Sequence, residues 1–128
     1  MHRKIGIVAA FFGFTGVLLG AFGAHGLKDL VDVSSVMSFE TGVRYQLLHA
    51  LFLLFLSMGS QFDVRTVNRI FWLVALGVFL FSGSIYLLAT NALTGFDFTK
   101  IALLTPLGGT LLIVAWVLLL SAFIRMKK

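Results

Sequence analysis

Four long apolar runs, at residues 5–23, 47–60, 70–89 and 106–124, fill most of the 128-residue chain and decide its solvent. A helix needs about 20 mostly apolar residues to cross roughly 30 Å of hydrocarbon. The first, third and fourth runs reach that length alone. The second reaches it once Val43-Arg44-Tyr45-Gln46 is included, with its polar heads near an interface. The expected spans are therefore 5–23, 43–60, 70–89 and 106–124. Hydrophobic residues make up 59 % of the chain and charged residues 12 %. A water-soluble domain of this size cannot bury that much apolar surface. In lipid, helices satisfy their own backbone polar groups, and these runs are too helix-like for a barrel. The expected fold is all-α, an integral membrane four-helix transmembrane bundle forming one domain over residues 1–128.

The net charge is +5, yet the basic residues gather at the span ends. They read as topology signals and contacts to anionic lipid, and no nucleic-acid partner is expected. With no cysteine in the chain, disulfides, thiolate metal sites and cysteine nucleophiles are excluded. His2-Arg3-Lys4 and the small residues around Ala21-Phe22-Gly23-Ala24 imitate a signal peptide. The long apolar stretch and its regularly spaced glycines point instead to a retained first helix. Arg3, Lys4, Arg65, Arg69, Arg125, Lys127 and Lys128 fall on the side of the termini, against Lys28, Arg44 and Lys100 on the other. That bias predicts termini in the cytoplasm, or in the matrix if the membrane is the mitochondrial inner one.

Ala9, Gly13, Gly16, Gly20 and Gly23 share one stripe of the first helix, and Gly16 to Gly20 is a GxxxG. Such a stripe admits another backbone, inside one bundle or across a dimer face. Ala75, Phe79, Ser82, Tyr86 and Ala89 form a comparable stripe on the third helix. Thr105-Pro106 opens the fourth, with threonine able to cap and proline tolerated at the first helical position. Gly108-Gly109 then allows close packing or ligand access to backbone amides. Phe14-Thr15-Gly16 against Phe81-Ser82-Gly83, and Thr41-Gly42 against Thr105-Pro106, point to two duplicated hairpins.

Every polar cluster lies in the half of the bundle away from the termini, expected to face outward. His49 sits about one turn inside the second span, with Tyr45 four residues earlier on the same face. Ionisable groups at such depth turn inward and need partners. His49 could be neutral interhelical glue, a proton-handling or ligand-binding group, or, with His25, a metal or haem ligand. No carboxylate-rich set accompanies the histidines, so no metal or cofactor is expected. Glu40 and Arg44 are spaced to pair on a helix, or Arg44 could turn inward to an anionic head. Ser82 and Ser84 suit interhelical hydrogen bonding better than nucleophilic catalysis. The expected ligand-binding set is His25, Arg44, Tyr45, His49, Ser82, Ser84, Tyr86 and Thr105. The expected helix-packing set is Gly13, Gly16, Gly20 and Gly23.

These residues fall in four ordered motifs. They are Gly20-Ala21-Phe22-Gly23-Ala24-His25-Gly26-Leu27, Thr41-Gly42-Val43-Arg44-Tyr45-Gln46 with His49-Ala50-Leu51, Phe81-Ser82-Gly83-Ser84-Ile85-Tyr86, and Thr105-Pro106-Leu107-Gly108-Gly109 with Trp116. Together they resemble the YgdD/YwdK-like family of small bacterial inner-membrane proteins, which has relatives in mitochondria. The resemblance covers essentially the whole chain. It implies a four-helix integral membrane protein and supplies no reaction, because the family is a domain of unknown function.

The residues point first to a non-enzymatic accessory or binding protein, with an outward-facing polar pocket for a lipid, a quinone-like ligand or a partner transmembrane helix. A small oligomeric transporter or channel is the alternative. An intramembrane enzyme using His49 comes third. Membrane lipids, a transmembrane protein partner or further copies of the chain are the partners to expect.

Overall fold

Apolar content makes helices in lipid, but local chemistry sets where each begins. The computed structural model describes residues 2–95 and 97–127. They form α1 (His2–His25), α2 (Val33–Met58), α3 (Val64–Ala89) and α4 (Leu104–Arg125), with short 3-10 turns at Leu27–Asp29, Asn91–Leu93 and Phe98–Ile101. All four α-helices are long and apolar enough to cross a membrane. The protein is a four-helix transmembrane bundle. Lys128, one of the basic residues weighed for orientation, lies outside the described residues.

α2 starts well ahead of residue 43. Asp32 caps it, its carboxylate accepting from the Ser35 amide at 2.8 Å. Ser34, Ser35, Ser38 and Glu40 dilute the hydropathy of these turns without breaking the helix. α3 likewise starts ahead of residue 70. Asp63 caps it, accepting from the Thr66 amide at 2.9 Å and the Thr66 hydroxyl at 2.7 Å. Hydrogen bonding from Ser35 and from Thr66 holds both carboxyls below their ordinary range. α4 follows a different rule from the one its sequence predicts. It begins at Leu104 with no side-chain cap, and Thr105 hydrogen-bonds Ser84 instead. Pro106 stays in the first turn, where its missing N–H removes no helical bond.

α2 and α3 form the centre, with α1 against α2 and α4 against α3. Glycines set the three crossings. A Cβ on Gly16 would come within 2.7 Å of Leu47, on Gly20 within 3.2 Å of Val43, and on Gly23 within 2.9 Å of Phe39. Gly13 is looser, 4.0 Å from Ala50. The α1 stripe thus lies against α2 inside the bundle. Between α2 and α3, a Cβ on Gly42 would meet the Tyr86 ring at 2.8 Å. Between α3 and α4, a Cβ on Gly108 would overlap the Phe81 amide nitrogen and come within 2.8 Å of the Gly77 carbonyl. That contact is backbone on backbone, which side-chain motion cannot relieve.

Two cores result. The larger one, toward the termini, joins all four helices through Ile5, Leu53, Leu56, Ile70, Val74 and Ala115. The smaller one packs Leu27, Val36, Phe39, Val43 and Ala89 at the opposite end, with the 3-10 turn after α1 inserting Leu27. The α3 stripe does not form a single buried face. Ser82 and Ala89 are buried, but Phe79 is 73 % exposed. Because α2 and α4 both pack on α3, its buried arc runs through Val67, Ile70, Phe71, Val74 and Val78 instead.

Candidate functional site

The polar residues predicted to converge divide into a buried network between α1, α2 and α3, a buried pair between α2 and α4, and an exposed fringe. Gln46 on α2 is the hub of the network. Its amide nitrogen donates to the Phe12 carbonyl at 2.9 Å and to the Thr15 hydroxyl at 2.8 Å on α1. Its amide oxygen accepts from the Tyr86 hydroxyl on α3 at 2.7 Å. Thr15 passes its own proton to the Phe11 carbonyl at 2.7 Å. One turn away, Ser82 donates to the Gly42 carbonyl at 2.7 Å, beside the gap that admits the Tyr86 ring. Three helices are therefore fixed in register by side chains that leave no orphan atom.

His49 is 1 % exposed and sits between α2 and α4. Trp116 on α4 donates its indole N–H to Nε2 of His49 at 3.1 Å. An indole nitrogen is only a donor, so Nε2 must be the unprotonated acceptor. The proton then sits on Nδ1, which donates to the Tyr45 carbonyl at 2.7 Å. Both ring nitrogens are in use and the neutral tautomer is fixed. Phe52 closes the pair, 4.5 Å from Trp116 and nearly perpendicular to it. Tyr45, stacked at 6.3 Å on His49 and 5.0 Å from Phe81, is 40 % exposed.

Ser84 and Thr105 join α3 to the start of α4 through their hydroxyls, and Ser84 also donates to the Phe81 carbonyl at 3.0 Å. This bridge stands between two openings. On one side is an apolar slot of about 340 Å³ formed by Phe79, Leu80, Gly83, Leu87, Ile101 and Leu104. On the other is a groove of about 440 Å³ where Ser34, Ser35 and Ser38 face Ile85, Thr105 and Pro106. His25 and Arg44 are exposed, and Glu40 and Arg44 form no ion pair among the described residues. Arg44 lies with Thr41 and Ser38 along the exposed side of α2. Among the described residues no group of histidines and acids could hold a metal, and every buried side-chain polar atom has a partner.

Gln46 and Trp116 were absent from the predicted site set. Gln46 read as a polar head near an interface. Trp116 lies 67 residues from His49, and only the α2–α4 approach brings them together.

The bridge and the α2 and α3 members of the buried network fall within a segment shared with a known family. Residues 19–109 match a family model described as a protein of unknown function, DUF423. The chain belongs to the DUF423 family. The matched segment holds Gln46, His49, Ser82, Tyr86, Thr105 and Gly108, and stops short of Trp116. Over 126 residues the chain is 38 % identical to the UPF0382 inner membrane protein YgdD of Escherichia coli K12, covering 95 % of this chain and 90 % of that protein. It is 33 % identical to a UPF0382 membrane protein of Haemophilus influenzae, covering 100 % and 99 % of the two. It is 32 % identical to the UPF0382 membrane protein YwdK of Bacillus subtilis, covering 93 % and 94 %. These are the proteins its ordered motifs resemble. No solved structure matches the chain.

Proposed function

We propose that this DUF423 protein is a non-enzymatic accessory protein of the bacterial inner membrane that holds an amphiphile in the half of the bundle away from its termini. The occupant is a lipid or a quinone-like molecule, with an apolar tail and an oxygen-bearing head. One juxtaposition carries this reading: the apolar slot beside Gly83 and the serine groove beside Thr105 meet at the Ser84–Thr105 bridge. A tail would lie in the slot and a head would exchange hydrogen bonds with the serines. Ligand sites commonly pair a mostly apolar wall with a few polar groups, in volumes of about 300–1,000 Å³.

The geometry favours binding over catalysis. His49 has both nitrogens engaged, and Ser82 and Ser84 give their protons to backbone carbonyls. Neither serine has a base within hydrogen-bond reach, which a nucleophile requires. The basic-residue bias supports cytoplasmic termini, which would turn the slot and groove toward the outer leaflet. Native mass spectrometry of the protein extracted with its own lipids tests the reading. A retained amphiphile of defined mass is expected. Protein free of adducts under the gentlest conditions that preserve the fold would overturn it.

A further inference from the structure

The opposite end of the bundle carries a second opening that the amphiphile reading does not use. It is a groove of about 380 Å³ between the first turns of α3 and the last turns of α4. Arg69 enters it from α3 and Arg125 from α4. Among the described residues neither guanidinium has a hydrogen-bond or ion-pair partner. Gln61 and Ser121 also line the groove, and their side-chain polar groups are likewise uncommitted. Its floor is apolar, built from Phe62, Leu118 and Ala122. Phe62 is held there by an edge-on contact with Phe123 at 5.0 Å.

Asp63 is the one acid in the groove. Its carboxylate is turned onto the start of α3, where it accepts from the amide and hydroxyl of Thr66. It therefore leaves both arginines uncompensated. The groove combines two planar cations, an amide and a hydroxyl above an apolar floor, at the level where two spans meet the headgroups. Arginine forks match phosphate oxygens. Basic pockets between transmembrane helices are suited to anionic lipid heads.

We propose that this groove binds the phosphate of an anionic phospholipid, with Arg69 and Arg125 clamping the phosphate and Ser121 or Gln61 reaching the head. The apolar floor makes a lipid, rather than free phosphate, the occupant. The site does not depend on which leaflet the termini face, since an anionic phospholipid presents the same phosphodiester in either.

The test is native mass spectrometry of the delipidated full-length protein in detergent, titrated with phosphatidylglycerol or phosphatidylcholine. The wild type should retain phosphatidylglycerol in preference to phosphatidylcholine. Arg69→Gln and Arg125→Gln should each weaken retention at least about tenfold, the factor one charge-assisted hydrogen bond carries. Ser121→Leu keeps both charges but fills the groove, and should weaken retention comparably. Arg65→Gln removes a nearby charge outside the groove and should leave retention unchanged. Circular dichroism of each variant checks that the helices persist, and Ser121→Leu supplies an independent arm if an arginine variant misfolds. Equal retention of the two lipids would overturn the proposal. So would an Arg65→Gln effect as large as that of Arg69→Gln, or displacement of phosphatidylglycerol by an equal concentration of inorganic phosphate.

Discussion

Trp116 hands its indole proton to Nε2 of His49 across 3.1 Å, and this fixes a buried histidine as neutral with its other proton on the Tyr45 carbonyl. The pair joins α2 to α4, two helices that otherwise meet chiefly through the common core. It also explains how an ionisable side chain can sit at this depth without a counter-charge.

The pair should be energetically coupled. Trp116→Phe leaves Nε2 buried without a donor, a loss of about 1–3 kcal/mol. His49→Ala leaves a cavity and an indole N–H without its acceptor. Reversible unfolding in mixed micelles of both single variants and the double variant should give a coupling energy of about 0.5–2 kcal/mol. Additive losses would mean that the bond contributes nothing.

Sequence reasoning reaches the spans because hydropathy over twenty residues is a strong signal, and it reaches the glycine faces because helical spacing is. It gives a span from residue 43 and not the helix start at Val33, since Ser34, Ser35, Ser38 and Glu40 lower the local hydropathy. Asp32 followed three residues later by Ser35 was the cap signal available. Thr105 looked like a cap and proved to be a bridge, because its partner Ser84 belongs to another helix. Gln46 is the clearest gap. An amide near the end of an apolar run reads as an interfacial anchor, and only the approach of α1 and α3 turns it into a three-helix hub. The openings beside Gly83 and Arg69 arise from tertiary packing and have no signature in spacing.

Gly108→Ala should be among the most damaging single changes. The new methyl meets α3 backbone, so relief requires separating the helices, and overpacking costs about 1–3 kcal/mol or more. Gly13→Ala, whose methyl would reach ordinary contact with Ala50, should be tolerated. Comparing their melting temperatures in detergent checks the close α3–α4 crossing. Equal tolerance would place Gly108 away from α3.

Acid should loosen the start of α3 only below the ordinary carboxylate range. The folded carboxyl of Asp63 titrates below its usual 3.8, chiefly through hydrogen bonding from Thr66. Its contribution to stability is therefore complete above that value and is lost as pH falls through the lowered one. Asp63→Asn can still cap but cannot titrate. Its stability should vary less than that of wild type below the ordinary carboxylate range. Identical acid limbs in thermal melts would show that the cap has no part in acid sensitivity.

Fusions at either terminus should report from the cytoplasm, following the bias of basic residues. A cytoplasm-dependent fluorescent reporter should be active at both ends and a periplasm-dependent phosphatase inactive. The reverse pattern would turn the slot and serine groove toward the inner leaflet.

Gly83 offers the most direct test of amphiphile binding. It lines the apolar slot, and a Cβ there would meet nothing within 4 Å. Gly83→Leu should fill the slot and spare the helix crossings. The decisive measurement is native mass spectrometry of wild type and Gly83→Leu extracted from the same membranes, with melting temperatures recorded alongside. The account predicts one amphiphile adduct more on the wild type than on a Gly83→Leu protein that melts no lower. An identical set of adducts at the same occupancies on both proteins would contradict it.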